Sequence, residues 1–252
     1  MRRDLSMQRA PARPPRLHCE AVLSPGASVE LTERAARHVA ALRLQAGDEV
    51  VLFNGDGAES TATLVTLSKR GVLAAVRERR SIDRESPFEI HLAQGICAGD
   101  RMDLVLQKAT ELGVASIQPM VTHRSIVRLA RERREKRETH WQNVVIAACE
   151  QCGRNLIPPV APSTGLPEFV ALPARGGTRI LLAPDGEAAL RGLAPQAPVT
   201  VLIGPEGGLA PEERELAAAR GFTAVRFGPR ILRTETAPLA ALAALQTLYG
   251  DC

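Results

Sequence analysis

The chain has 252 residues, 45% of them apolar, enough to bury a full core in one large domain or in two smaller ones. No stretch is apolar over the length of a membrane span, and no apolar segment follows the start Met1-Arg2-Arg3-Asp4 to act as a signal peptide, so a cytoplasmic location is expected. The net charge is only +4, but arginine far outnumbers lysine; this favours planar, bidentate contacts to phosphate and makes nucleic acid a reasonable partner. The five cysteines, Cys19, Cys97, Cys149, Cys152 and Cys252, are odd in number and scattered, unlike a disulfide framework, and are expected to be reduced.

Residues 1–16 carry Arg2, Arg3, Arg9, Arg13 and Arg16 among Pro and Ala without apolar periodicity, and read as a disordered basic tail. Residues 17–80 read as a small β-rich domain, a barrel or sandwich with one early helix over Leu31 to Leu44. Its strands are expected over Glu49 to Asn54, Ser60 to Leu67 and Val72 to Val76. The run Asn54-Gly55-Asp56-Gly57 marks a hairpin, because both dipeptides tolerate positive φ. His38, Arg43, Lys69 and Arg70 could face RNA or could be ordinary solvated charge. Arg79 to Pro87, polar and ending in Ser-Pro, is the expected linker.

A second domain is expected over residues 88–252. A strand (Phe88 to Gln94), a helix (Asp100 to Leu112, closed by Gly113) and a strand (Val114 to Val121) make a βαβ unit, hence a parallel sheet in an α/β fold. Thr122-His123-Arg124-Ser125 leads into a basic run with Arg128, Arg131, Arg133, Arg134, Lys136 and Arg137, which suits phosphate tracking or a solvated helix face. Trp141, Val144, Val145 and Ala148 recur at helical spacing, so Thr139 to Cys152 is an amphipathic helix stopped by Gly153. Cys149-Glu150-Gln151-Cys152 has the C-x-x-C spacing but no second pair, no H-x-x-x-H and no thioredoxin-like surroundings; the two thiols are expected to be packed, without a metal or redox role. A short helix (Leu166 to Leu172) and a strand (Thr178 to Leu182) precede the turn Ala183-Pro184-Asp185-Gly186.

The chemistry is expected between residues 199 and 238. The buried strand Val199 to Ile203 runs into Gly204-Pro205-Glu206-Gly207-Gly208, a loop whose backbone can approach a ligand closely. Pro211 opens the following helix, to Arg220, and Glu212 and Glu213 behind it disfavour an anion there. The loop has neither the Lys and Ser/Thr of a Walker A motif nor the spacing G-x-G-x-x-G, so a neutral or cationic nucleoside suits it better than a phosphate. The strand Ala224 to Phe227 then leads through Gly228 to Thr236 into a last helix, Pro238 to Tyr249. That helix is apolar on nearly every side, so burial in a core or in a homodimer interface is expected.

Four of these segments, Gly204-Pro205-Glu206-Gly207-Gly208, Leu232-Arg233-Thr234-Glu235-Thr236-Ala237, Glu150-Gln151-Cys152-Gly153-Arg154 and Asp83-Arg84-Glu85-Ser86-Pro87, stand in the order and spacing of one family. The chain resembles the RsmE family of 16S rRNA uridine-N3 methyltransferases over nearly its whole length after the tail. The resemblance implies a SPOUT methyltransferase: a PUA-like RNA-binding domain, then an α/β domain ending in a trefoil knot, against the usual rules of topology. It also implies a homodimer formed through the C-terminal region, with sites shared between subunits. Its cofactor would be S-adenosylmethionine, and its substrate one uridine in the decoding region of the small-subunit rRNA.

Carried onto this chain, the cofactor pocket would be lined by Leu182, Ala183, Pro184, Leu202, Ile203 and Gly204 to Gly208 (Gly204, Pro205, Glu206, Gly207, Gly208). Phe227, Gly228, Ile231, Leu232, Arg233 and Thr234 would complete it. RNA would be met by Arg16, His38, Arg43, Arg124 and Arg128. Ala210 stands where the family commonly has a capping Ser or Thr, a loss of about 1 kcal/mol.

Neutral uridine has no usable lone pair at N3, and removing its proton places charge on O2 and O4 that arginine can stabilise. Arg124, Arg154 and Arg233 are the candidates, Arg154 foremost because it leaves a helix end beside a turn. The base would be Glu150, Glu235 or a water that they hold. The plain alternatives are a Glu150–Arg154 ion pair and capping of the last helix by Glu235 and Thr236. The reaction requires no metal. Three other functions stay open at this stage: a SPOUT enzyme acting on another RNA base or ribose, a non-catalytic RNA-binding module, and, against the missing P-loop lysine, a nucleotide hydrolase.

Overall fold

The computed structural model describes residues 13–68, 71–125, 131–173 and 176–252. Most of the basic tail, together with Lys69, Arg70 and Arg128, therefore lies outside the described residues. The chain divides between Asp83 and Arg84 into two compact units, and the short stretch Gly153–Leu156 belongs to the first.

In the first unit, β1 (Arg16–His18), β2 (Ser28–Glu30), α1 (Glu33–Ala41), β3 (Glu49–Phe53), β4 (Ala58–Ser68) and β5 (Gly71–Ser81) follow in order. The sheet runs β1-β3-β4-β5-β2, antiparallel except where β1 lies parallel to β3. Alternation sends Ala58, Ser60, Ala62 and Leu64 of β4 inward. Ala62 and Leu64 join a core with Leu17, Leu52 and Val76, over which Ala35 and Val39 of α1 close. The Thr32 hydroxyl caps α1 by accepting the Ala35 N–H at 3.2 Å. Arg43 follows with φ of 56°, in the left-handed region.

The β4–β5 hairpin is longer than its apolar residues indicate. Arg79, Arg80 and Ser81 pair with Ser60, Glu59 and Ala58 of β4, so residues 79–81, polar enough to read as linker, are strand, and Arg79 also meets Asp56 of the preceding turn at 2.7 Å. Arg16 is an internal anchor of this unit. Its guanidinium pairs with Glu59 and donates to the Arg154 carbonyl at 3.2 Å and to Asn155 Oδ1 at 2.7 Å.

The second unit opens with β6 (Ile90–Gly95), α2 (Arg101–Glu111), β7 (Ser116–Val121), α3 (Arg131–Cys152), β8 (Thr164–Gly165) and α4 (Leu166–Ala171). It continues with β9 (Thr178–Leu182), β10 (Ala188–Ala189), β11 (Val199–Ile203), α5 (Pro211–Ala219), β12 (Thr223–Arg226) and α6 (Thr236–Tyr249). Its seven strands form one parallel sheet in the order β10-β12-β9-β11-β6-β7-β8. The central strands β6 and β11 are buried along almost their whole length, as expected of strands covered on both faces, although β6 carries His91 and Gln94 among its apolar residues. On one side Leu166 and Val170 of α4 and Ala217 of α5 pack with Leu181, Leu202 and Phe222. On the other, α6 lies against β6, β11 and α2.

Four elements of the second unit differ from their sequence reading. α3 begins at Arg131, eight residues before the expected Thr139, because a charged first half follows into the helix anchored by buried Trp141, Val145 and Cys149. α6 buries only one face, Pro238, Ala241, Leu242 and Leu245, while Leu248 stays exposed. The short edge strands β8 and β10 carry too few residues for any periodicity to show.

Glu213, expected to set a negative field at the start of α5, is instead engaged locally. Its carboxylate accepts the Ala210 N–H at 2.9 Å and the His123 N–H at 2.8 Å. Ala210 offers no side-chain cap, so Glu213 supplies half of a capping box. Replacing Glu213 by Ala leaves two backbone donors unpaired in a buried place and is expected to cost about 1–3 kcal/mol in urea unfolding. Glu213→Gln, which keeps an acceptor, should lose less; equal stability of Glu213→Ala and the unaltered chain would contradict the assignment.

Candidate active site

A cavity of about 850 Å³ opens at the carboxyl ends of β9, β11 and β12, the usual place for a ligand in a parallel α/β sheet. Three connections wall it. Leu181 to Asp185 follow β9, Ile203 to Leu209 follow β11, and Phe227 with Arg230 to Glu235 return from β12 towards α6. Of the residues expected to line a cofactor pocket, all but Leu202 and Gly228 line this cavity; Leu202 is instead fully buried in the core beneath it.

The loop after β11 is shaped by close approach. A Cβ on Gly95 of β6 would lie 2.5 Å from Pro205 N, and one on Gly207 would lie 3.1 Å from Arg124 Cβ. Arg124 crosses Gly207 and donates to its carbonyl at 3.0 Å, so this guanidinium braces the loop and lines the cavity at once. Gly208, with φ of 67°, turns the chain and donates its N–H to the Pro205 carbonyl at 2.8 Å.

Carboxylates and guanidiniums alternate around the opening. Arg101, the first residue of α2, donates to Glu206 Oε1 at 2.9 Å and stands 3.9 Å from Glu235. The Ala98 N–H reaches the same Glu206 oxygen at 2.9 Å, while Oε2 is buried without a hydrogen-bond partner among the described residues. Burial opposes ionisation of Glu206, but the Ala98 and Glu206 N–H groups and Arg101 outweigh it and hold its carboxyl below the ordinary value. At the rim, Asp185 and Arg214 form a two-pronged ion pair at 2.7 and 2.9 Å, and that guanidinium lowers the Asp185 pKa.

Glu235 occupies the N-cap position of α6, yet its side chain makes no capping bond. Its carboxylate, with 15% of the side chain exposed, faces the cavity beside Arg101. Arg124, Arg233 and Glu235 are thus brought together. Arg154 and Glu150 are buried, 5% and 8% exposed, and do not line this cavity. Cys149 is buried and Cys152 half-buried, both unbridged. Sequence reading missed Arg101, Asp185 and Arg214, whose partners are 105 and 29 residues away. The position of Arg101 at a helix start after a parallel strand is the one signal that pointed to it. Among the described residues no cluster of metal-ligating side chains is present, and no helix is long and apolar enough to cross a membrane.

The RNA methyltransferase domain family matches residues 84–246, and the RNA methyltransferase PUA domain family matches residues 31–76. Fold and site together define an RNA methyltransferase of the SPOUT class. The ribosomal RNA small subunit methyltransferase E of Buchnera aphidicola subsp. Schizaphis graminum is 30% identical over 94% of this chain and 97% of its own. The protein of that name from Neisseria gonorrhoeae, crystallised with S-adenosyl methionine, is 44% identical with a TM-score of 0.91, over 94% of this chain and 99% of that one. A methyltransferase from Legionella pneumophila, in complex with the bound cofactor SAM, is 41% identical with a TM-score of 0.92, over 96% and 100%. The chain belongs to the ribosomal RNA small subunit methyltransferase E family.

The Glu206 carboxyl, held ionised, contributes stability that is present above the unfolded carboxylate pKa and is lost as pH falls through its lower folded value. Arg101→Gln removes one of the groups holding it down. Carboxyl NMR titration should then show the Glu206 pKa moving up towards the ordinary range; an unchanged titration would contradict the part given to Arg101.

Proposed function

We propose that this chain transfers the methyl group of S-adenosylmethionine to N3 of one uridine in the 16S rRNA of the small ribosomal subunit. The observation that carries this reading is the cavity at the ends of β9, β11 and β12, in a chain matched along both units by members of the family. Its chemistry fits the cofactor. Leu181, Ile203 and Val225 offer apolar surface for adenine, while Glu206 and Glu235 offer carboxylates to a cationic sulfonium and an ammonium group. When bound, S-adenosylmethionine supplies an electrophilic methyl group. The protein supplies orientation, charge and a place for the N3 proton.

In this reading Glu235 takes the N3 proton directly or through a water, since its carboxylate faces the cavity and caps no helix. Arg233 and Arg124 stabilise the charge that develops on O2 and O4, Arg124 while bracing the Gly207 carbonyl. Arg154 and Glu150, buried in their own chain, do not reach this cavity within one copy; a catalytic part for Arg154 requires a second copy of the chain, in a homodimer formed through the C-terminal region. The half-exposed face of α6 is suited to that contact. The return of residues 227–235 to the end of β11 is read as the crossing of the trefoil knot.

The first unit, residues 17–80 in essence, serves as the RNA-binding PUA domain, and residues 88–252 as the methyltransferase domain. His38 and exposed Arg43 on and after α1 are proposed to face RNA, together with Arg124 and Arg128 of the second domain. Arg16 has its guanidinium engaged within the first unit and is left out of that face. The expected substrate form is the assembled subunit, in the cytoplasm.

Transfer of labelled methyl groups to unmodified small subunits and to naked rRNA, with mass spectrometry of the released nucleosides, tests the reading. N3-methyluridine is the expected product, with Glu235→Gln slower by about 100-fold or more at saturating cofactor. Arg154→Ala should abolish modification while RNA and cofactor affinities hold. A different methylated nucleoside would move the substrate, and cofactor binding without any product would overturn the enzymatic reading.

A further inference from the structure

The end of β6 and its connection to α2, residues 94–100, have no part in the chemistry above. They nevertheless hold two of the cavity walls. Gln94 is fully buried, and its amide Nε2 donates to the Gly95 carbonyl at 3.0 Å and to Thr234 Oγ1 at 3.2 Å. Thr234 in turn donates its hydroxyl to the Gly204 carbonyl at 2.8 Å. The Cys97 thiol stands 3.5 Å from that hydroxyl; burial first of all pushes its pKa up to about 11, so it is a neutral member of the cluster. The Thr234 side chain therefore has its donor and an acceptor site engaged below the cavity, by segments 30 and 140 residues away in the chain.

The same connection reaches the neighbouring wall a second time. Ala98 N–H and Arg101 both hold Glu206, and Gly95 admits Pro205 at a distance that any side chain would forbid. The loop after β11 and the return from β12 are thus fixed to one short stretch that itself lines almost none of the cavity. The spacing between those walls is what a ligand placed between them would experience, and fixing it in advance removes an ordering cost from binding.

We propose that Gln94 and the Thr234 hydroxyl are positioning residues for S-adenosylmethionine, acting through the Gly204 carbonyl to hold residues 227–234 against residues 204–208. This rests on the cofactor assignment made above. Thr234→Val keeps the shape of the side chain but removes the hydroxyl from the Gly204 carbonyl and from the Gln94 amide, which keeps its bond to the Gly95 carbonyl, whereas Thr234→Ser keeps the hydroxyl. Gln94→Met removes the amide at nearly constant volume.

Calorimetric titration of the full chain with S-adenosylmethionine, alongside RNA affinity and rates at saturating cofactor, tests the proposal. Thr234→Val and Gln94→Met should bind the cofactor about tenfold or more weakly. Thr234→Ser should stay within about threefold of the unaltered chain, Gln94→Met, at a residue that does not line the cavity, should keep its rate at saturating cofactor, and RNA affinity should change little in all three. A merely structural role would lower the saturated rate and RNA affinity together and would not be rescued by serine. Unchanged cofactor affinity in Thr234→Val, or equal loss in Thr234→Ser, would overturn the proposal. Should Thr234→Val not fold, Gln94→Met decides alone. If the unaltered chain binds no S-adenosylmethionine, the cofactor assignment itself fails.

Discussion

The Thr234 hydroxyl bonded to the Gly204 carbonyl joins the last loop of the chain to the end of a strand 30 residues earlier. A parallel sheet leaves its strand ends open, and a crossover helix such as α5 carries the chain away from them. Without a tie, the return from β12 would hang free beside the loop after β11. With it, two irregular segments become opposite walls of one cavity, and the sheet beneath them supplies the rigidity that neither loop has on its own.

Charge is arranged around that cavity so that no carboxylate acts alone. Glu206 is held by a backbone N–H and Arg101, Asp185 by Arg214, and Glu213 is removed from the site altogether by two backbone donors. Glu235 differs: it sits at a helix start without capping it, 3.9 Å from Arg101. A carboxylate that does no work for the fold and faces a cavity is available to accept a proton, whereas one tied by several donors is held in its charged state. This contrast separates the two acids that composition alone makes equivalent.

Much of the fold was legible because its signals are local. Pro211 marks the start of α5, Gly113 ends α2, and the apolar runs Val199–Ile203 and Thr178–Leu182 coincide with β11 and β9. The glycine loop was legible as a site because a strand, a glycine cluster and a helix start follow one another directly. Gln94 left no such trace. It reads as the last polar residue of a buried strand, and only the sheet order, which sets β6 beside β11, brings it to Thr234. The burial of Arg154, the anchoring of Arg16 and the engagement of Glu213 were hidden for the same reason, since each depends on a partner placed by tertiary structure. The charged start of α3 was legible only as one of two alternatives, a phosphate-tracking surface or a solvated helix face, and the helix was placed from Thr139, because helical periodicity needs apolar residues to be seen and that half has almost none.

The central claim is that the segments 203–208 and 227–235 form one cofactor cavity. Hydrogen exchange of the full chain with and without saturating S-adenosylmethionine measures this directly, amide by amide. The account predicts that slowing concentrates in those two segments and in Leu182–Asp185, while the amides of β3, β4 and β5 in the first unit exchange as before. Protection confined to other elements, with the two loops unchanged at saturation, would contradict it.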